Sequence, residues 1–379
     1  MSDRDRTLVV GASAAGLAVG ACLKKIGQPF DLLEASTAVG TAWRHHYDRL
    51  HLHTPKSASS LPGLPMPAAW PKYPAREQVV EYLEAYCAHH DLQPHYECAV
   101  KRLEHRDGMW LAETASGEWR AKNVVVATGN TRRPFRPHWP GMESYRGQVL
   151  HSSEYRNGDA WKGRPVLVIG FGNSACEQAI DLVERDAVAH LAVRSAVNVV
   201  PRDIFGAIPV LELGIVMRIL PTALADALAW PIVRFAIGDI TKLGLKKLPY
   251  GPNTQIKRDR HIPLLDIGTI DHIRAGRITL HGAVTRFTED GVVFEDGREM
   301  AFDAVVLATG YTPGLDDFLV GWRDTCDEAG VPRSSGRASA LPGLFFCGFF
   351  LAPSGMLREI GIEAKRIAAA IARPSRSSV

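Results

Sequence analysis

Two glycine-rich stretches, each entered from an apolar run, have the residue types and spacing to hold phosphates. Gly11-Ala12-Ser13-Ala14-Ala15-Gly16 follows Leu8-Val9-Val10, and Gly170-Phe171-Gly172-Asn173-Ser174-Ala175 follows Val166-Leu167-Val168-Ile169. In a strand–turn–helix unit the first glycine permits the tight turn, the second admits a pyrophosphate against the backbone, and the third lets helix and strand pack closely. The helix start then offers free N–H groups and a partial positive charge. Ser13 stands in the second glycine's place, where its hydroxyl can donate to a phosphate. Asn173 and Ser174 open the second helix, where they cap it, bind a pyrophosphate, or both.

The charge at the end of the following strand separates the two sites. Glu34, followed by Ala35, sets a carboxylate where a ribose diol would donate and a 2′-phosphate would be repelled. The corresponding place in the second stretch holds Arg194-Ser195, a guanidinium and hydroxyl suited to clamping a 2′-phosphate. The first site is therefore expected to take FAD and the second NADPH. The competing account of Glu34 and Arg194 is a solvated charge at a strand end. Two nucleotide cofactors in one chain point to electron transfer between them.

The elements that must position these loops occur twice in the same order. The first copy runs from the strand Leu8–Val10 through a helix over about 15–26 and a strand Phe30–Leu33. A three-stranded meander over about 95–122 follows, closing on Val124-Val125-Val126-Ala127-Thr128-Gly129. The second copy runs from Val166–Ile169 through a helix over about 174–184 and a strand His190–Val193. Its meander is expected over 278–302, before Ala304-Val305-Val306-Leu307-Ala308-Thr309-Gly310. A repeat of the whole order is far more specific than either loop alone. Gly343–Gly348 reads as a further strand returning to the first domain, followed by a helix over about 356–371 and a frayed end over 373–379. The expected fold class is α/β, with two Rossmann-like dinucleotide-binding domains of the glutathione-reductase type. The FAD-binding domain is assigned to 1–158 and 319–379, and the NADPH-binding domain to 159–318 with a helical insert at about 203–252.

The chain has 379 residues, a net charge of +3 and 46% apolar residues, enough for two cores and no electrostatic case for nucleic acid. Six cysteines include no C-x-x-C pair and no zinc spacing, which disfavours a dithiol reductase and fits reduced thiols in the cytoplasm. The charged start at 1–6 leaves no room for a signal peptide, and no charge-free apolar window of about 20 residues spans a membrane. The insert reads as two or three short apolar helices: a lid or pocket wall first, then a dimer contact, and last a membrane face over 207–240. Monomer and homodimer both remain open.

Tyr145-x-Gly147-x-x-x-His151-x-x-x-Tyr155, just before the second glycine stretch, resembles the signature of the flavin-containing monooxygenases, with Tyr145 in place of Phe. Ala308-Thr309-Gly310-Tyr311 resembles that family's Ala-Thr-Gly-Tyr segment. Within the family the chain is most similar to the plant YUCCA-type enzymes, which convert indole-3-pyruvate to indole-3-acetate. The matching stretches are Arg49–Lys56, His151–Tyr155, Val193–Ser195, Val200–Arg202, Gly238-Asp239, Leu243–Leu245 and Pro263–Thr269. The resemblance implies that NADPH reduces FAD and that O2 forms a C4a-peroxyflavin, which oxygenates a small organic substrate while the protein excludes water.

It also implies residue roles. His53 and Thr54 become candidate neighbours of the peroxide or substrate, against a loop histidine packing on Pro55. Thr41, Trp43 and Arg44, in Gly40–Arg44, become flavin contacts, against a plain aromatic core position for Trp43. His151 is expected in a linker between domains, positioning NADP⁺ and the hinge or touching a cofactor directly. Ala127, Thr128, Gly129, Arg202, Ala308, Thr309, Gly310, Tyr311, Gly348 and Leu357 complete the expected cofactor set, with Arg358 beside Leu357 at the start of the last helix. Indole-3-pyruvate or a related α-keto acid is the first substrate expectation, and S- or N-oxygenation the second. A Baeyer–Villiger oxygenase ranks third, and an NADPH-dependent flavin reductase or oxidase is the rival class.

Arg194→Ala should weaken NADPH use by roughly tenfold or more while leaving NADH use nearly unchanged, since only NADPH offers a 2′-phosphate to the guanidinium. Steady-state kinetics with both nucleotides checks this; an equal loss with both overturns the role.

Overall fold

A computed structural model describes residues 6–204, 206, 208–217 and 220–372. The expectations for the N-terminal start and the frayed tail at 373–379 lie outside the described residues, apart from Arg6. The chain divides into two compact units, one of 1–44, 54–133 and 311–379, the other of 45–53 and 134–310.

The first unit is built on a five-stranded parallel sheet in the spatial order Leu344–Phe346, Asn123–Val126, Thr7–Val10, Phe30–Leu33, Pro94–His95. Its central strands are buried and apolar over Leu8–Val10 and Val124–Val126, as a parallel sheet covered on both faces requires. The helix Ala14–Lys25 packs against the last helix, Met356–Ile371, so both tail elements belong to this unit. An antiparallel meander of Arg102–Arg106, Met109–Thr114 and Gly117–Ala121 buries Trp110 completely among Leu103, Val124, Leu344 and Phe318. A helix over Arg76–His89 fixes the long loop after residue 54. Its Tyr82 accepts the Leu61 N–H (2.7 Å) and donates to the Leu64 carbonyl (2.6 Å), while Tyr86 donates to that of Pro62 (2.6 Å).

The second unit repeats the plan with another five-stranded parallel sheet, ordered Gln148–His151, Ala304–Leu307, Pro165–Ile169, Val188–Ala192, Ile278–His281. Ile278–His281 is an edge strand of this sheet and not the start of the meander, which is Val284–Phe287, Gly291–Phe294 and Glu299–Ala301. The segment around His151 is likewise no linker. Gln148–His151 pairs with Ala304–Leu307, so the units divide at Arg133 where the sequence placed a boundary at 158. The insert contains helices Val210–Met217 and Thr222–Ile237, the second of 16 residues and longer than expected. Asp226 on it receives the N–H groups of Asn253 (2.8 Å) and Thr254 (3.0 Å), and so caps the helix Pro252–Asp259.

His281 stacks on Phe294 with ring centroids 4.3 Å apart and meets His190 at 2.9 Å, both imidazoles buried. Burial, and then the neighbouring His190, push the His281 pKa down from 6.5 to about 4. The folded state thus resists a proton that the unfolded chain accepts. Stability should be full well above pH 6.5 and fall by about 3 kcal/mol as pH drops to 4. Urea midpoints between pH 7.5 and 4.5 check this, and His281→Phe should flatten that part of the profile.

Candidate cofactor and active site

In the first unit the turn after Thr7–Val10 is shaped by contacts no larger residue could make. Gly11 has φ +102°, and a Cβ there would lie 2.8 Å from the Ala127 carbonyl oxygen. A Cβ on Gly16 would lie 1.7 Å from the Gly11 oxygen, so the helix sits directly on the turn. Ser13 is the helix N-cap but makes no side-chain capping bond, and Ala14 and Ala15 open the helix beside it. Gly348 has φ +85°, and a Cβ there would lie 3.1 Å from the Ala15 side chain, so the chain just past the tail strand runs close to the first helix.

Glu34 ends the second strand with its carboxylate already engaged. Oε2 accepts the Ala12 N–H (2.7 Å), and Oε1 accepts the N–H (3.0 Å) and hydroxyl (2.7 Å) of Ser36. Each carboxylate oxygen has two lone pairs, so Oε2 keeps capacity for a ribose hydroxyl. Ala35 is exposed beside it. Thr41 donates to the Ala38 carbonyl (2.9 Å), and Arg44 is tied to the Val39 carbonyl (3.2 Å) and to Glu84. Trp43 is half-buried and lies outside the core. Leu357 is buried in the first turn of the last helix, and Arg358 pairs with the buried Glu359 at 2.9 Å.

Thr128 Oγ1 and Asn130 Oδ1, just past Ala127, are buried polar oxygens with no hydrogen-bond partner in the protein. Buried polar atoms are rarely left so, and these sit beside the Gly11 turn and Gly129. A nucleotide cradle and orphaned polar atoms in one place fit FAD. Asn130 was not singled out from the sequence, although it directly follows the Ala-Thr-Gly run.

The second unit repeats the cradle. Gly170 has φ +136° with a Cβ position 2.5 Å from the Ala308 oxygen, whereas a Cβ on Gly172 would meet nothing within 4 Å. That open face fits a second pyrophosphate. Asn173 does not cap its helix: Gly172 is the N-cap, and Asn173 Oδ1 accepts the Leu265 N–H at 2.9 Å. Ser174 follows in the same first turn. Arg194 and Ser195 are exposed after the strand Val188–Ala192. Arg202 is half-buried and pairs with Asp203 at 3.1 Å, and its N–H reaches the Asp266 carbonyl. Thr309 donates to the Phe135 carbonyl. Tyr311, next to Gly310 in sequence, falls in the first unit.

The signature residues before the second loop act as staples within this unit. Tyr145 donates to the Phe302 carbonyl at 2.7 Å, anchoring the meander. His151 is completely buried; its Nδ1 accepts the Ser153 N–H (3.1 Å), which leaves Nε2–H to donate to the Gly310 carbonyl at 3.0 Å. Burial holds its pKa below the usual imidazole value, consistent with a neutral ring. Tyr155 donates to Asp181 Oδ2 at 2.6 Å and stacks on Trp161.

His53 and Thr54, adjacent in sequence, fall in different units. Thr54 shares a hydrogen bond with Ser59 at 2.7 Å in the first. His53 lies on the strap 45–53 of the second, with Nε2 against Oε1 of the buried Glu177. Sequence reasoning missed Glu177 because a charged residue one turn into a helix reads as solvent-facing.

The profile of the flavin-binding monooxygenase-like family matches residues 4–325. This chain belongs to that family. It is 38% identical over 333 residues to the indole-3-pyruvate monooxygenase YUCCA1 of Oryza sativa subsp. japonica, covering 86% of this chain and 81% of that one. It is 37% identical over 318 residues to a probable indole-3-pyruvate monooxygenase, YUCCA4 of Arabidopsis thaliana, covering 82% and 77%. Among solved structures, the flavin-containing monooxygenase from Stenotrophomonas maltophilia is 24% identical, with a TM-score of 0.72 over 96% of this chain and 99% of that one. Cyclohexanone monooxygenase, 18% identical, has a TM-score of 0.76 over 97% and 87%. A bacillithiol disulfide reductase from Staphylococcus aureus shares the fold at 0.71, over 97% and 98% with 15% identity, so the fold alone does not select the reaction. Family and relatives do: the chain is a monooxygenase that uses FAD and NADPH.

Gly16→Ala should destabilise the first unit by about 3 kcal/mol, since the added methyl has only the Gly11 carbonyl to displace. Differential scanning calorimetry with and without added FAD checks this; the loss should accompany reduced flavin content after purification.

Proposed function

We propose that this enzyme oxygenates indole-3-pyruvate or a closely related α-keto acid with loss of CO2. The observation that carries this reading is the 34–38% identity, sustained over 82% or more of the chain, to plant enzymes named for that substrate. The balanced reaction takes the keto acid, O2, NADPH and a proton to the shortened acid, CO2, water and NADP⁺. Bound FAD supplies the redox centre between NADPH and O2.

The chain's own residues hold, orient and shield. Gly11, Ser13, Ala14, Ala15 and Gly16 seat the FAD pyrophosphate against the first helix, and Glu34 with Ala35 receives the ribose. Thr41, Trp43, Arg44, Ala127, Thr128, Gly129, Gly348, Leu357 and Tyr311 line the flavin. Gly170, Gly172, Asn173 and Ser174 seat the NADPH pyrophosphate, Arg194, Ser195 and Arg202 the 2′-phosphate side, and Ala308, Thr309 and Gly310 the strand end. His53 and Thr54 are the hydrogen-bonding groups assigned to substrate and oxygen. In this reading the unit of 1–44, 54–133 and 311–379 binds FAD and the unit of 45–53 and 134–310 binds NADPH. All six cysteines are free and buried, in keeping with a cytoplasmic enzyme. No helix among the described residues is long and apolar enough to cross a membrane. The exposed Leu224, Leu228, Trp230 and Phe235 of the insert leave open a lid, a homodimer contact or a membrane face.

Supplying indole-3-pyruvate to the purified holoenzyme should give one indole-3-acetate and one CO2 per NADPH oxidised, with little H2O2. NADPH consumption matched by H2O2 alone would move the assignment to an oxidase. Coupled turnover only with thioethers or amines would move it to S- or N-oxygenation.

A further inference from the structure

Glu177 lies on the second nucleotide helix, Asn173–Glu184, one turn beyond its N-terminus, and is 2% exposed. A carboxylate in such a place needs partners. Both come from the strap 45–53: His53 Nε2 meets Oε1, and Arg49 Nη1 lies 3.9 Å from Oε2. Arg49 in turn grips Glu184, two turns along the same helix face, through Nε (2.8 Å) and Nη2 (2.9 Å). Asp48 is held as well, by the Arg156 carbonyl (2.9 Å) and the Asn157 amide (2.8 Å). The strap is thus pinned lengthwise on the helix that begins at the Gly172 turn.

Arg49 and Glu184 suffice as a structural tie. Glu177 is poorly satisfied for that purpose, because Oε2 has no hydrogen-bond donor. What its Oε1 does is commit Nε2 of His53. An imidazole with one nitrogen held by a carboxylate has its orientation and its working nitrogen decided by that contact.

We propose that Glu177 is a positioning residue for oxygenation, turning Nε2 of His53 towards the nucleotide helix and leaving Nδ1 for substrate. The proposal rests on the assignment of His53 to the reaction. Its consequence is that the histidine is carried by the NADPH-binding unit, tied to the helix that opens at the nucleotide turn.

The test is a double-mutant cycle on the holoenzyme, reading H2O2 released per NADPH together with the rate of anaerobic flavin reduction. His53→Ala and Glu177→Ala should each raise H2O2 release by about threefold or more, the double variant adding nothing further, while reduction changes by less than about twofold. Glu177→Gln, which keeps an acceptor at Oε1, should restore most of the coupling. Ring ¹⁵N shifts in histidine-labelled protein, with His53 assigned by its loss in His53→Ala, should show a change of tautomer or exchange in Glu177→Ala and not in Glu177→Gln. Wild-type coupling in Glu177→Ala, effects that multiply in the double variant, or unchanged ring shifts overturn the proposal. If the wild type oxygenates no keto acid, the substrate assignment falls, while the ring shifts still decide whether Glu177 sets His53.

Discussion

The two cradles depend on how closely a helix can be set against the turn that precedes it. At Gly16 the clearance to the Gly11 carbonyl is too small for any side chain. This contact aims the helix's unpaired N–H groups back over the strand end, where a phosphate can meet them. At Gly170 the strand-end carbonyl of Ala308 imposes the same exclusion. The parallel sheets, the meanders beneath them and the tail elements hold strand and helix ends in that relation.

The sheets repeat more deeply than the loops. Each is a five-stranded parallel sheet with the nucleotide strand at its centre. The edge position filled by Leu344–Phe346 in the first unit is filled by Gln148–His151 in the second. The family signature is therefore the edge strand of the second sheet with its fastenings. Tyr145 is fixed to the meander, His151 to the Ala-Thr-Gly end and Tyr155 to the nucleotide helix. Each fastening joins parts far apart in sequence that the second cradle needs in register.

What was legible in the sequence follows from the range of the interactions. The glycine turns, the meander turns and the apolar central strands are local patterns, and the helix starting at Asn173 fell within a residue of its expected place. Gln148–His151 and Ile278–His281 were not legible as sheet edges, because a short edge strand is defined by its partner and carries little periodicity of its own. The capping expected of Asn173 failed for a similar reason: its carboxamide is claimed by Leu265, distant in sequence. Gly11 and Gly170 occupy the turns, and Glu34 and Arg194 follow the strands, that the local pattern predicts. Glu177 and Asn130 are informative only through burial and missing partners, which no spacing records.

The path of the chain has a consequence for how the protein is made. The chain passes between the units four times, and the first sheet takes its edge strand from Leu344–Phe346 and its covering helix from Met356–Ile371. During synthesis the second unit has all its residues once position 310 has left the ribosome. The first, although it begins the chain, must wait for Leu344–Phe346 with the flank of Asn123–Val126 unpaired. Until then an apolar strand edge is open to other chains, and the order of completion runs opposite to the order of translation.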